Sequence, residues 1–304
     1  MTLFSLEHCT AYQPGGSESL LSRGEFGSRI IDKFGVTFLA DIVAATRRRV
    51  GESRANSDLR ELERQAATHN PRGFRKELES ASTTGFAVIA ELKKASPSRG
   101  VIRSDFDPAR LARELEQAGA TALSVLTDEE FFQGSLANLR TASVSTRIPC
   151  LRKDFMVDEF QILEARANRA DAVLLIVAAL EQAELVSLMR RAGEMTLDVL
   201  CEVHDEEELQ RALDAGCNLI GVNNRDLGTF KVSSETAFRL AKRIPAGVFA
   251  VAESGIESGA DIARLRGAGY KGFLIGESLM RAKSPGEALT GLLAEAALPV
   301  VSTT

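Results

Sequence analysis

Charged or polar side chains close apolar runs at six places along the chain. Glu91-Leu92-Lys93 ends one run, Leu151-Arg152-Lys153-Asp154 another and Leu200-Cys201-Glu202 a third. Gly221-Val222-Asn223-Asn224-Arg225, Val251-Ala252-Glu253-Ser254-Gly255 and Leu274-Ile275-Gly276-Glu277-Ser278 finish three more. A single charge at a strand end is ordinary solvation. Lysines and carboxylates from several ends, gathered around one mouth, are the makings of acid–base chemistry: an ammonium can protonate or hold an anion, and a neighbouring carboxylate keeps it charged. The small residues of Ser254-Gly255 and Gly276-Glu277-Ser278 have a second use. They let backbone N–H groups approach a ligand, ahead of helices whose amino ends attract anions, which suits a phosphate. Ser96-Pro97-Ser98-Arg99-Gly100 reads as a polar, flexible loop able to close over that ligand.

These residues need elements to position them. Eight short runs read as strands: Ala87–Leu92, Ala122–Leu126, Cys150–Lys153, Ala172–Val177, Val199–Val203, Leu219–Val222, Val248–Glu253 and Gly272–Ile275. Several are apolar throughout, as for parallel strands buried on both faces, and the stretches between them hold a crossover helix each. A repeat supports this. Gln117-Ala118-Gly119-Ala120, Asn168-Arg169-Ala170-Asp171, Asp214-Ala215-Gly216-Cys217 and Gly267-Ala268-Gly269-Tyr270 each turn a helix into a strand, about fifty residues apart. Each spacing holds two strand–helix units, so four such blocks, one per turn, make a (β/α)8 TIM barrel of the α/β class, whose catalytic groups lie at the carboxyl ends of the strands. An open dinucleotide-binding sheet would want GxGxxG after the first strand, where Lys94-Ala95-Ser96-Pro97-Ser98 stands. Side chains alternate, so Ile89, Glu91 and Lys93 share a face. Before the first strand, Phe38, Ile42, Val43 and Ala45 mark one helix, Leu59 to Ala67 a second, and Pro71 opens a third. Residues 1–35 are a weakly patterned arm with a breaker cluster at Gln13-Pro14-Gly15-Gly16-Ser17; residues 36–304 form one barrel domain that includes the helices over 36–80.

Composition narrows the function. The chain has 304 residues, 44% hydrophobic and 26% charged, with a net charge of −5. No basic stripe suggests nucleic acid, and Arg47-Arg48-Arg49 reads as a solvated helix face. The longest apolar run, Ala172 to Leu180, is far too short to span a membrane. The first residues lack a secretory or transit pattern, which points to the cytoplasm. Cys9, Cys150, Cys201 and Cys217 are scattered, as are the three histidines, so no metal spacing appears and the cysteines read as buried free thiols.

Longer motifs built on these positions resemble the indole-3-glycerol-phosphate synthases of tryptophan biosynthesis. They are Ala90-Glu91-Leu92-Lys93-Lys94-Ala95-Ser96-Pro97-Ser98, Ser124-Val125-Leu126-Thr127-Asp128 with Phe131-Phe132-Gln133-Gly134-Ser135, and Leu151-Arg152-Lys153-Asp154-Phe155. Cys201-Glu202-Val203-His204, Gly221 through Leu227 and Ala252-Glu253-Ser254-Gly255-Ile256 complete the set, over about residues 36 to 295. The resemblance implies ring closure, decarboxylation and dehydration of 1-(2-carboxyphenylamino)-1-deoxyribulose 5-phosphate, with no metal or organic cofactor; composition and charge already argue against a membrane or nucleic-acid partner. It implies that Lys153 is the general acid, that Lys93 anchors the carboxylate or shares the acid work, and that Glu202 is the base. Glu91 and Glu253 would tune the lysines, Asn223 would hold the anthranilate part, and Arg225 would support the site from behind. The phosphate would lie on Ser254, Gly255, Gly276 and Glu277 with Ser96 nearby; Phe132, Phe155 and Leu175 would flank the aromatic ring. It also implies that the N-terminal helices cap the barrel mouth, and it leaves open an association with other enzymes of the pathway. Another phosphosugar barrel, such as a phosphoribosylanthranilate isomerase, would not need the two lysines, and a non-catalytic sugar-phosphate binder would be favoured by loss of Lys153 or Glu202, both of which are present.

Overall fold

A computed structural model describes residues 38–298 except residue 228, so the arm expected at 1–35 lies outside the described residues. Ten strands are numbered in chain order. Eight close a parallel barrel: β1 (Ala87–Leu92), β4 (Ala122–Leu126), β5 (Cys150–Lys153), β6 (Ala172–Ile176), β7 (Asp198–Val203), β8 (Leu219–Asn223), β9 (Phe249–Glu253) and β10 (Gly272–Ile275), with β10 returning to β1. The other two, β2 (Ala95–Ser96) and β3 (Gly100–Val101), form an antiparallel pair in the loop after β1, which is therefore a short hairpin. Alternation along each strand sorts the core into two layers. Ile89, Leu151, Leu200, Leu219 and Val251 fill the barrel, while Val88, Val125, Cys201, Val222 and Phe273 face the surrounding helices.

All four repeat turns share one geometry. Gly119, Arg169, Gly216 and Gly269 have φ of 98°, 69°, 85° and 110°. In each, the next residue's N–H reaches back five residues: Ala120 to Leu115, Ala170 to Ala165, Cys217 to Ala212 and Tyr270 to Leu265. That bond satisfies a carbonyl left open at the helix end and turns the chain into the next strand. Arg169 makes the same turn without glycine, in a conformation that costs a side-chain-bearing residue about 1–2 kcal/mol.

Among the described residues three helices precede the barrel: α1 (Phe38–Asn56), α2 (Leu59–Ala67) and α3 (Phe74–Thr84). They divide between its two ends. On α1, Leu39 and Ile42 line a cavity at the carboxyl ends of the strands. Helix α3 lies at the opposite end, where the Arg75 N–H donates to Asp198, the first residue of β7, at 2.9 Å. Its Phe74 and Leu78 are fully buried in the inner layer with Ala87 and Ala172. The segment therefore caps the mouth with α1 and plugs the base with α3. Helix α3 begins at Phe74, behind a left-handed Gly73, and not at Pro71. The intervening Arg72 is drawn away to Asp171, to which its Nε donates at 3.0 Å; Asp171 also contacts His69 Nε2 at 3.1 Å and accepts from the Cys150 N–H at 2.6 Å. Burial works against the Asp171 charge, but His69 and Arg72 outweigh it and hold the carboxyl below its ordinary value.

Two sequence expectations hold only in part. Arg47 and Arg48 are exposed, as a solvated face requires, with Arg47 pairing with Glu184 at 2.8 Å, but Arg49 pairs with the buried Asp128 at 2.8 Å and reaches Asp154 at 3.8 Å. Not all the cysteines are free. Cys201, on the helix side of β7, is bonded to Cys217 at the turn before β8, with Cα atoms 6.6 Å apart; Cys150 is free and buried. The barrel brings these two together, and their spacing in the chain carries no sign of it.

Candidate active site

Each strand delivers its last inward residue to one cavity of about 440 Å³, a size that suits a small organic ligand. Glu91, Lys93, Lys153, Glu202, Asn223 and Glu253 all line it. Period-two alternation places them: Glu91 and Lys93 follow Ile89, Lys153 follows Leu151, Glu202 follows Leu200, Asn223 follows Gly221 and Glu253 follows Val251. Lys153 Nζ donates to Glu202 Oε2 at 2.9 Å and to Glu253 Oε2 at 3.0 Å, and Lys93 Nζ donates to Glu91 Oε1 at 2.6 Å. Asn223 Nδ2 donates to Glu202 Oε1 at 3.1 Å, while Asn223 Oδ1 accepts from Ser254 Oγ at 2.8 Å and from the Arg225 N–H at 3.0 Å.

The charges in this nest settle one another. Burial opposes the Lys153 ammonium, but Glu202, Glu253 and Glu91 outweigh it and hold the pKa above the ordinary lysine value. Burial likewise opposes the Glu202 charge; Lys153 and His204 overcome it and hold that carboxyl well below the usual range. Glu253 goes the other way. Burial, assisted by the Glu202 and Glu91 charges, wins over Lys153 and pushes it up to about 7. Two carboxylates share one lysine, and their environments separate them into an ionised group and one poised to carry a proton near neutrality. Such separation is how one site supplies both a base and an acid.

Backbone room for this nest is built in. A Cβ on Gly221 would collide with the Glu253 carboxylate, and a Cβ on Gly276 with the Glu91 side chain. Behind Lys153, Arg152 points to the helix side. Its guanidinium donates to the Gln161 carbonyl at 2.8 Å, to Asp154 Oδ2 at 3.0 Å and to Thr127 Oγ1 at 3.1 Å, which fixes the end of β5.

The remaining sequence candidates divide. Ser96, Arg225, Ser254, Gly255, Gly276 and Glu277 line the same cavity on its β1, β8, β9 and β10 side. Ser254 and Gly255 are both left-handed, with φ of 66° and 74°, and the Ser96 hydroxyl is buried with no hydrogen-bond partner among the described residues. The Glu277 side chain pairs with Arg99 at 3.2 Å and with Arg225 and Arg281 at 3.1 Å each, so two arginines that line the cavity meet on one carboxylate. Phe132 and Phe155 line the opposite side, ring centroids 6.2 Å apart. Leu175 does not reach the cavity. It lies in the outer layer against the helices, and its neighbours Leu174 and Ile176 point inward instead. Sequence reasoning passed over Leu39, Ile42, Lys231 and the role of His204. Glu202 and His204 share a face at spacing two, a signal present in the sequence.

Comparison with known proteins agrees with this geometry. The family model for "Indole-3-glycerol phosphate synthase" matches residues 39–292. A protein of that name from Koribacter versatilis (strain Ellin345) is 57% identical over 255 residues, covering 84% of this chain and 98% of that one. Another from Chlorobium luteolum (strain DSM 273 / BCRC 81028 / 2530) is 49% identical over 258 residues, covering 84% and 97%. Among solved structures, a thiamine phosphate pyrophosphorylase from Pyrococcus furiosus superposes with a TM-score of 0.53 at 17% identity, over 68% of this chain and 93% of that one, which speaks to the barrel fold alone. No described helix is long and apolar enough to cross a membrane. By sequence along nearly the whole barrel, this chain belongs to the indole-3-glycerol phosphate synthase family.

Proposed function

We propose that the protein converts 1-(2-carboxyphenylamino)-1-deoxyribulose 5-phosphate into indole-3-glycerol phosphate, with loss of carbon dioxide and water. The observation that carries this reading is the Lys153 ammonium held between Glu202 and Glu253, with Lys93 and Glu91 in the same cavity. In the first step the ring carbon bearing the carboxylate attacks the substrate ketone. The ketone oxygen must gain a proton as that bond forms, and Lys153, kept charged by its carboxylates, supplies it. Lys93 holds the substrate carboxylate or shares the acid work. Carbon dioxide then leaves and returns its electron pair to the ring. Dehydration needs a base to take a proton while the new hydroxyl departs as water, and Glu202, held ionised, is that base. Glu91 and Glu253 tune the lysines, and Asn223 holds the anthranilate part by neutral hydrogen bonds.

The phosphate goes to Ser254, Gly255, Gly276 and Glu277, with Ser96 beside them and Arg225 in support. Phe132 and Phe155 flank the aromatic ring. A phosphorylated substrate cannot cross a bilayer unaided, so we assign the reaction to the cytoplasm, with this small molecule as the partner it requires. A disulfide is unusual there; Cys201 and Cys217 are buried, which denies an attacking thiolate access.

The test is direct. Incubation with the substrate should produce indole fluorescence, and Lys153→Met should lower turnover by about 10² to 10⁴-fold with the circular dichroism of the barrel retained. A folded Lys153→Met protein with near-normal turnover refutes the assignment of the acid, and no fluorescence from the wild-type protein refutes the activity.

A further inference from the structure

His204 is not among the residues that line the cavity, yet it stands directly behind one that does. It follows Glu202 by two residues, so both side chains leave the end of β7 on the same side. Its Nε2 lies 3.4 Å from Glu202 Oε1, an ion-pair contact, and its Nδ1 lies 2.9 Å from Glu208 Oε2. Glu208 also accepts from the His204 N–H at 2.8 Å, and its own N–H is capped by Asp205 Oδ1 at 2.8 Å, so the carboxylate that grips the ring is itself fixed in the first turn of the helix after β7. The ring is largely buried, with a carboxylate facing each nitrogen. A neutral imidazole has one N–H to offer, and only the imidazolium has two. Burial opposes that charge, but Glu202 and Glu208 outweigh it and push the pKa up to about 10.

The groups facing Glu202 show why a second cation matters. Lys153 from β5 divides its charge between Glu202 and Glu253 of β9, and Glu91 of β1 draws on it as well. Asn223 of β8 gives Glu202 a hydrogen bond without charge. His204 is the cation beside Glu202 that Glu253 does not share.

We propose that His204 is a positioning residue: gripped by Glu208, its imidazolium stands behind Glu202, keeps that carboxylate ionised and leaves Oε2 turned toward Lys153 and the cavity. This rests on the reading of Glu202 as the base. Removing the cation raises the Glu202 pKa, and a base must be ionised to work, so activity is lost at the acid side first.

The experiment measures kcat and KM from pH 3 to 9, a range that extends below the ordinary carboxylate value toward the protonation of Glu202, for the wild-type protein, His204→Gln, Glu208→Gln and Glu202→Gln. His204→Gln should lower kcat about tenfold, leave KM within about twofold, and move the acidic limb of the kcat profile up by roughly one unit. Glu208→Gln should move it the same way by less. An unmoved acidic limb in His204→Gln overturns the proposal, whether kcat is unchanged or falls together with melting temperature. Glu202→Gln separates the two levels. If it retains turnover, the base assignment and this inference both fail; if it is inactive while the His204→Gln limb stays put, only the inference fails.

Discussion

Replacing Glu253 by Gln should stabilise the protein in alkaline solution while damaging its chemistry. The side chain is 1% exposed, its Oε2 accepts from Lys153 at 3.0 Å, and its Oε1 has no hydrogen-bond partner among the described residues. Its pKa stands at about 7 in the folded chain against 4.5 for an ordinary glutamate, chiefly because burial penalises the charge. The folded protein thus binds this proton more tightly than the unfolded chain does. Stability is lost as pH rises from 4.5 through about 7, and above that the full cost applies. A shift of about 2.5 units at 1.36 kcal/mol each amounts to about 3 kcal/mol. Gln has the same shape, keeps a carbonyl oxygen for Lys153 and carries no charge to bury. The Gln variant should therefore gain roughly 2–3 kcal/mol on the wild type between pH 5 and pH 8.5, or about 5–10 °C in melting temperature for a domain this large. Thermal and urea unfolding of both proteins at the two pH values measure it. Any constant penalty of the amide cancels in the comparison between pH values. A stability difference that is the same at pH 5 and pH 8.5 would refute the reasoning.

Other perturbations follow from the same structure. Gly221→Ala would drive a methyl group into the Glu253 carboxylate and push it off Lys153, so kcat should fall by tenfold or more with the far-ultraviolet dichroism unchanged; full activity would mean the carboxylate is not held where it stands. Arg49→Met leaves the buried Asp128 without its cation, at a cost of about 1–3 kcal/mol because Arg49 itself is a third exposed, and should raise KM as α1 loosens over the mouth; denaturant midpoints and kinetics check both. Deletion of residues 1–35 should leave activity intact. Deletion through residue 80 removes Phe74 and Leu78 from the base of the barrel, at about 2–5 kcal/mol each, and should abolish folding as read by dichroism.

Local patterns carried much of this protein in plain view. Strands β1, β4, β5 and β10 begin and end where the runs read from the sequence do, because a strand buried on both faces is mostly apolar until the polar residues that close it at the barrel mouth. Turns at Gly119, Gly216 and Gly269 were readable because a left-handed helix end favours glycine, and Arg169 was readable only through the repeat that surrounds it. Alternation then aimed Glu91, Lys93, Lys153, Glu202 and Glu253 inward before any contact was known. The same all-apolar character hid the parity of β6, where nothing polar marks the inner face, and so Leu175 was assigned inward when Leu174 and Ile176 take that place.

The sequence alone determined the order of elements and which side chains could share a face, since these depend on neighbours within a few residues. Only the tertiary structure decided what those faces meet. An amphipathic helix must bury its apolar side, but nothing within α1 or α3 says that one covers the mouth and the other the base. Arg49 finds Asp128, His204 finds Glu202 between Asn223 and Lys153, and Cys201 finds Cys217 because barrel closure sets the register of distant segments. Even the opposite protonation of Glu202 and Glu253 belongs to that level: the two residues are chemically identical, and burial and the sharing of one lysine separate them.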